Sequence, residues 1–187
     1  FTLMQRAGHA AFNAWQDFNA EHTLVVVGHG NNAGDAYITA SLIKQAGKRV
    51  TLCAVNPEKS LTGDAAKAFK LWRDEGGEVN AYTSELLNRS DLIIDAMLGT
   101  GITSSVRDNF AKVINEINAS NKPVLSIDIP SGISADTGQP LGIAIQASKT
   151  ITFVGIKQGL TTAIGKQHCG ELIFDDLNIG PAFFELA

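Results

Sequence analysis

Small polar and acidic residues follow several short apolar runs of this sequence. The runs are followed by GHGNNAGD at residues 28–35, DAMLGTGITSS at 95–105, DIPSGISADTG at 128–138 and GIKQG at 155–159. In open α/β sheets, ligands bind outside the carboxyl ends of the strands. We therefore expect these four loops to open on the same edge of a sheet and to build one site between them.

The first loop partly matches the dinucleotide fingerprint G-x-G-x-x-A through Gly28, Gly30 and Ala33. Glycines there permit a tight turn and a close approach of the backbone to a ligand. The fingerprint also requires an acid about 20 residues further on, to hold a ribose. Glu58 lies beyond that spacing. An ordinary dinucleotide-dependent dehydrogenase is therefore disfavoured.

Asp35 is an acid in a loop that would otherwise suit a bound anion. One interpretation is that it lies in the first turn of a helix and interacts favourably with the helix dipole. The other is that the loop offers oxygen atoms to a hydroxyl group or a cation. Asn31 and Asn32 favour the second interpretation, since an amide oxygen is a good neutral ligand.

Three oxygen-bearing residues, Asn32, Asp95 and Ser131, each come just after the end of a predicted strand. They present an amide, a carboxylate and a hydroxyl group, a set that suits a hard cation. A single carboxylate favours potassium over calcium, which takes more acidic ligands. The alternative is that each residue caps its own loop.

The GTG stretch at residues 99–101 supplies backbone N–H groups ahead of a helix predicted to begin near Val106. Bare glycine amides at a helix N-terminus form an anion site. Thr103, Ser104 and Ser105 add hydroxyl groups or an N-cap. These two roles are compatible.

Asp128 ends an apolar strand and is a candidate general acid or base. Its alternative role is to order the turn DIPSG through its side chain. Lys157 follows another strand end, where it could contact a phosphate or a base, or be a solvated surface charge. His29 lies inside the first loop and could contact a ligand, and the four histidines share no metal-ligand spacing.

Apolar periodicity predicts the elements that must position these residues. A helix is expected from residue 2 to about 19, and buried strands at residues 23–28, 49–55, 91–97 and 123–130. Alternation of strands and helices indicates an α/β fold, a Rossmann-like three-layer α/β/α sandwich with a mostly parallel central sheet. The first strand should lie near the centre. The last strands lack full crossover helices, so we expect an irregular or mixed far edge.

Composition excludes several classes of protein. The 187 residues carry a net charge of −4 without a long basic run, which disfavours a nucleic-acid or anionic-membrane surface. No apolar stretch approaches the roughly 18 residues of a membrane span. Cys53 and Cys169 form no Cys-x-x-Cys pair, which fits a cytoplasmic location. The chain begins at Phe1, and we expect it to be part of a longer polypeptide.

Five motifs, in order, resemble those of the YjeF N-terminal domain family, the NAD(P)H-hydrate epimerases. They are LMQRAG, GHGNNAGDA, DAMLGTG, DIPSG and KQG. The resemblance implies one domain over residues 1–187 and an isomerase that interconverts the R and S epimers of hydrated NADH and NADPH, repairing nicotinamide nucleotides. It implies a fused or separate ADP/ATP-dependent dehydratase, whose domain is absent from this chain, and a homodimer formed through the first helix.

The resemblance also implies roles for individual residues. Asp128 and Lys157 would be catalytic, and a potassium ion would be bound by Asn32, Asp95 and Ser131. The substrate would be bound by Asp128 together with Asn31, Asn32, Ala33, Gly34, Asp35, Gly99, Thr100, Gly101, Ile102, Thr103, Ser104 and Ser105.

Two departures from the family pattern are Ala33 and Ala36, which replace glycines. A positive φ at either position would cost about 1 kcal/mol or more. Two alternatives to the epimerase remain: a non-catalytic, dimeric scaffold of the same fold that binds nucleotide or RNA, and a small-molecule kinase of the fold that accompanies this domain.

Overall fold

Seven strands form one sheet in a computed structural model that describes residues 1–57 and 60–180. Glu58 therefore lies outside the described residues. The strands are β1 (His22–Val27), β2 (Arg49–Ala54), β3 (Asn80–Ala81), β4 (Leu92–Ala96), β5 (Val124–Ile127), β6 (Lys149–Phe153) and β7 (Glu171–Asp175). Their order is β3-β2-β1-β4-β5-β6-β7. The predicted position of β1 near the centre is confirmed.

Every pair of neighbouring strands is parallel. The helices are α1 (Thr2–Gln16), α2 (Asn31–Gln45), α3 (Gly63–Asp74), α4 (Glu85–Asn88), α5 (Asp108–Ala119), α6 (Gln158–Thr161) and α7 (Ala163–Cys169). The expected irregular or mixed far edge is wrong, because α6 and α7 supply the crossover that lets β7 pair parallel to β6. The predicted first helix ends earlier than expected, at Gln16.

Helices cover both faces of the sheet, which confirms the predicted three-layer architecture. Val25 and Val27 of β1 pack in one cluster with residues of α1, α2 and α3. Leu24 and Val26 of the same strand pack in a second cluster with residues of α4 and α5. Because alternate residues of β1 point to opposite faces, this strand is buried on both sides, as its continuous apolar sequence predicts.

Close packing of α1 against α2 fixes the start of α2 over the sheet edge. A Cβ atom at Gly8 of α1 would lie 2.5 Å from Cβ of Ile38. A Cβ atom at Gly34 of α2 would lie 2.5 Å from Met4 and 3.0 Å from the backbone of Ala65. These two glycines let the helices approach, so the first turns of α2 have a defined position. None of the helices in the described ranges is long and apolar enough to cross a membrane.

Candidate active site

The loops after β1, β4, β5 and β6 line two adjoining clefts at the carboxyl edge of the sheet. The first, which we call the apolar lobe, has a volume of about 630 Å³ and includes Leu3, Met4, Phe153 and Ile156 in its walls. The second, the polar lobe, has about 470 Å³ and is lined by residues that include Gly30, Asn32, Gly99, Gly101 and Ile102. Four residues line both lobes: Asn31, Asp35, Thr100 and Asp128.

Lys157 and Asp128 form an ion pair in the wall of the apolar lobe, through Nζ and Oδ1. The same Nζ donates hydrogen bonds of 3.0 Å to Oγ1 of Thr152 and 3.0 Å to the carbonyl oxygen of Phe153. Both charged side chains are only 19% exposed. The interpretation of Lys157 as a solvated surface charge is therefore wrong.

The backbone of Asp128 adopts an unusual conformation, with a φ of 68°. A residue other than glycine seldom adopts the left-handed region, and such residues cluster at functional sites. Its N–H donates to the carbonyl oxygen of Ile151 at 2.7 Å, which ties the turn to β6. The turn directs the carboxylate towards the ammonium group of Lys157 rather than along the strand.

Asp35 lies in the second turn of α2, because this helix begins at Asn31 after an N-cap at Gly30. The interpretation of Asp35 as a first-turn acid is therefore wrong. Burial raises the pKa of its carboxyl group well above the ordinary value, and the nearby charge of Asp128 raises it further, while Lys157 lowers it. The site thus contains one ion-paired carboxylate and, close to it, one carboxyl group that resists ionisation.

Asp95 is completely buried at the end of β4 and is surrounded by hydrogen-bond donors. Its Oδ2 accepts from Oγ of Ser126 at 2.9 Å and from the N–H of Ser131 at 2.8 Å. Its Oδ1 accepts from Oγ of Ser131 at 2.5 Å and from the N–H of Met97 at 3.3 Å. Burial raises the pKa of Asp95, and the hydrogen bonds from Ser131, Ser126 and Met97 act in the opposite direction.

Asn32, Asp95 and Ser131 meet around the backbone of Leu98. Nδ2 of Asn32 and Oγ of Ser131 donate to the Leu98 carbonyl oxygen at 3.4 Å and 3.3 Å, and the N–H of Leu98 donates to Ser131 Oγ at 2.9 Å. Oδ1 of Asn32 is buried without a hydrogen-bond partner among the described residues. The structure thus brings together these three residues, although they are distant along the chain.

Comparisons with known proteins identify the family of the chain. The family model described as "YjeF-related protein N-terminus" matches residues 1–159. The chain belongs to this YjeF-related family. The crystal structure of the yeast protein ynu0 has a similar fold, with a TM-score of 0.76 at 21% identity, covering 92% of this chain and 76% of that one.

Two relatives of this YjeF-related chain illustrate how it compares in length. The bifunctional NAD(P)H-hydrate repair enzyme of Escherichia coli (strain K12) is 41% identical over 181 residues, which cover 96% of this chain and 35% of the relative. The NAD(P)H-hydrate epimerase of Levilactobacillus brevis is 38% identical over 179 residues, which cover 95% of this chain and 83% of the relative. The chain therefore spans about a third of the bifunctional relative.

Some residues of the YjeF-related motifs lie away from the two lobes. Ala33 and Gly34 are buried on the inner side of α2. Ala33 and Ala36 are helical and are not among the positive-φ residues, so the expected strain is absent. Ser104 and Ser105 line a neighbouring depression beside Arg107, and the exposed Thr103 lines neither lobe.

The start of α5 also differs from the prediction. The N-cap of this helix is Arg107 rather than Thr103, Ser104 or Ser105. The amides of Gly99 and Gly101 therefore belong to a loop and not to the helix N-terminus, although both glycines line the polar lobe. Any contact of these amides with an anion would depend on the loop alone.

Sequence reasoning missed two groups of this YjeF-related site. The hydroxyl group of Thr152 accepts a hydrogen bond from Lys157, and the carbonyl of Leu98 joins the oxygen cluster. Thr152 is one of three polar residues in the buried strand β6, so its polarity alone does not distinguish it from Lys149 and Thr150. A backbone carbonyl carries no signal either, because every residue type has one.

Proposed function

We propose that this chain is an NAD(P)H-hydrate epimerase, which interconverts the R and S epimers of hydrated NADH and NADPH. The observation that carries the proposal is the Lys157–Asp128 ion pair beside the partly buried Asp35, at the junction of two lobes. Relatives that carry this activity in their names cover nearly the whole chain.

The chemistry requires a group that moves a proton at a carbon bearing a hydroxyl group. That carbon must become planar before its configuration can change, either by loss and return of water or by opening of the ring. Loss of water places a proton on the departing oxygen and develops positive charge on the ring, whereas ring opening removes the hydroxyl proton as the bond from carbon to nitrogen breaks and a carbonyl group forms. The carboxylate of Asp128 can accept or return the proton and stabilise the positive charge, while Lys157 holds its orientation.

The two lobes suit the two kinds of surface that a hydrated dinucleotide presents. In the polar lobe, a Cβ atom at Gly30 or Gly101 would meet nothing within 4 Å, so ligand atoms can approach the backbone there. Anionic phosphates would lie against this loop and the amides of Asn31 and Asn32. The reduced ring would lie at the junction with the apolar lobe, within reach of Asp128.

A potassium ion fits the oxygen cluster beside the polar lobe. The unpartnered Oδ1 of Asn32 is a buried acceptor that a cation would satisfy, and Asp95, Ser131 and the Leu98 carbonyl add oxygens of the kind hard cations prefer. When bound, the ion would supply positive charge beside the dinucleotide. Asn32, Asp95 and Ser131 would hold it and thereby fix the loops after β1, β4 and β5 relative to one another.

The proposal includes the setting in which the protein acts. An ADP/ATP-dependent dehydratase, fused to this domain or separate, would consume the S epimer, as the bifunctional relatives suggest. We further propose a cytoplasmic homodimer that contacts its partner through α1, with a small molecule as substrate and no nucleic acid or membrane as partner.

An assay with mixed epimers tests the function. An R/S mixture of hydrated NADH is supplied with a purified dehydratase that consumes only the S form, and the chain is added. We expect the whole pool to disappear faster than in its absence. If the R half persists at the uncatalysed rate, the chain is not an epimerase, and a non-catalytic scaffold becomes the better interpretation.

A further inference from the structure

Asp35 and Asp128 reach the junction of the two lobes from different elements. Asp35 projects from α2, which follows β1, and Asp128 comes directly after β5, with β4 lying between these strands in the sheet. Both residues line the apolar lobe and the polar lobe. A small ring held where the lobes meet would therefore lie beside both carboxyl groups.

We propose that Asp35 and Asp128 act as a pair that shares one proton across the reacting ring, with Asp35 as the acid and Asp128 as the base. The inference rests on the proposed function and assigns Asp35 a chemical role in addition to contact with the ligand.

The charges around Asp35 favour Asp35 as the acid and Asp128 as the base. The other titratable groups that line the two lobes are Asp128, Lys157, Asp64 and His29. Lys157 is ion-paired with Asp128, and Asp64 is ion-paired with the N-terminal ammonium group of Phe1 at 2.8 Å. The lysine that lines the apolar lobe is therefore engaged with Asp128. Burial and the charge of Asp128 both favour a protonated Asp35.

The proposed step conserves atoms and electrons. The Asp35 carboxyl group gives its proton to the hydroxyl oxygen, the bond between that oxygen and the ring carbon breaks, and water departs. The lone pair of the adjacent ring nitrogen forms a double bond to the carbon. Water then adds to the opposite face, the electron pair returns to nitrogen, and the Asp128 carboxylate takes the proton of the added water.

The reverse reaction uses the same two groups with their roles exchanged. After one turnover Asp35 is ionised and Asp128 is protonated, and exchange with solvent restores the starting state. No oxidant or reductant is needed, because the ring carbon has the same oxidation state in both epimers. Two carboxyl groups with different environments are the usual means by which a site holds an acid and a base at one pH.

The test compares Asp35→Asn, Asp128→Asn and Asp74→Asn in the mixed-epimer assay over a range of pH. Asp35→Asn keeps the shape of the side chain but removes its proton. We expect its kcat to fall by about 10²- to 10⁴-fold with a much smaller change in KM. The wild-type kcat should decline at high pH as Asp35 loses its proton, and this decline should be absent from the residual activity of Asp35→Asn.

Asp74→Asn is the matched control, because it removes an exposed carboxylate at the end of α3 that lines neither lobe. It should keep the wild-type kcat and pH profile. An Asp35→Asn variant with wild-type kcat, or with only KM increased, overturns the paired-acid inference even when Asp128→Asn is inactive. A wild-type chain that leaves the R epimer unchanged contradicts the proposed function and this inference together.

Thermal unfolding of each variant separates a chemical effect from a folding defect. If Asp35→Asn does not fold, Asp35→Glu replaces it in the test, because this variant keeps a carboxyl group but in an altered position. The inference requires the high-pH decline of kcat to shift in Asp35→Glu. An unshifted decline would show that another group titrates there.

Discussion

Nζ of Lys157 is held by three oxygen atoms, and one of them is Oδ1 of Asp128. The other two belong to Thr152 and to the backbone of Phe153, so the lysine links the loop after β5 to the end of β6. Replacing Lys157 by methionine would leave the mostly buried carboxylate of Asp128 without its counter-ion. The Asp128 side chain would then no longer be held in one orientation. The pair therefore has consequences for both stability and activity.

We expect Lys157→Met to lower the free energy of unfolding by about 1–3 kcal/mol, the usual cost of losing hydrogen bonds to a charged group. For a domain of this size the melting temperature should fall by about 2–4 °C per kcal/mol. The rate of epimerisation should fall by more than the loss of folded protein explains. Calorimetry and the mixed-epimer assay measure the two effects. Lys166→Met, which changes an exposed lysine of α7, is the control, and an equal loss in both variants would contradict a role for the pair.

Potassium should stabilise the protein through Oδ1 of Asn32, which has no hydrogen-bond partner within residues 1–57 and 60–180. Binding to the folded state alone adds about 2.7 kcal/mol when the ion is at 100 times its dissociation constant. We expect a higher melting temperature in potassium chloride than in tetramethylammonium chloride of equal ionic strength. Asn32→Ala should abolish the difference.

Ser41→Ala provides the matched control for the potassium measurement. Oγ of Ser41 is also buried without a hydrogen-bond partner among the described residues, and it belongs to the same helix, α2. This variant should respond to potassium like the wild type. If Asn32→Ala retains the response, the ion binds elsewhere and the oxygen cluster is not its site.

Gly28 and Gly30 should differ sharply when each is replaced by alanine. A Cβ atom at Gly28 would lie 2.0 Å from the carbonyl oxygen of Met97, so the ends of β1 and β4 would have to separate. We expect Gly28→Ala to destabilise the fold by about 1–3 kcal/mol or more. A Cβ atom at Gly30 meets nothing within 4 Å, so Gly30→Ala should lose only about 1 kcal/mol or less of stability, from the poorer N-cap of α2, but should bind the dinucleotide less tightly.

Denaturant unfolding and titration with NADH distinguish these two effects. The pair of variants separates two functions of the glycine fingerprint, contact between protein backbones and space for a ligand. Equal stability of the two variants would show that the contact between Gly28 and Met97 can relax. It would contradict the interpretation that Gly28 is needed for close contact between these two backbones.

The architecture follows from sequence patterns because burial on two faces leaves a strong signal. The apolar runs LVVV in β1 and LII in β4 are typical of parallel strands that are covered on both faces. The same logic predicted that Asn32, Asp95 and Ser131 would converge, since each follows a strand of that sheet. Nothing comparable marks α6 and α7, which are too short to show helical periodicity, and so the edge at β7 was predicted wrongly.

The environment of individual side chains was less predictable. Asp35 was expected near a helix start, but its burial depends on where α2 begins and on how Asp128 and Lys157 face it. Ser104 and Ser105 have the chemistry of helix caps, yet α5 begins later, at Asp108. Single capping residues contribute only about 1 kcal/mol, so the packing of the chain decides which residue occupies the cap.

Asp35 should make the stability of the protein decrease as pH rises. Its pKa is higher in the folded than in the unfolded chain, so the folded state binds the proton more tightly. Between the unfolded pKa of about 3.9 and the raised folded pKa, this residue alone contributes a fall of up to about 1.4 kcal/mol per pH unit in the free energy of unfolding. Above the folded pKa its contribution becomes constant and unfavourable, because the charged group is then buried.

Asp35→Asn removes this dependence, since an amide does not titrate. Urea unfolding of both proteins across pH 4–9 measures the difference between their free energies of unfolding. We expect the variant to gain on the wild type as the pH rises, and the pH at which the gain levels off reports the folded pKa of Asp35. That pKa should coincide with the high-pH decline of kcat/KM, because kcat/KM reports ionisations of the substrate-free enzyme. A difference that stays constant over the whole range would mean that Asp35 ionises normally in the folded protein, and it could then not act as the acid.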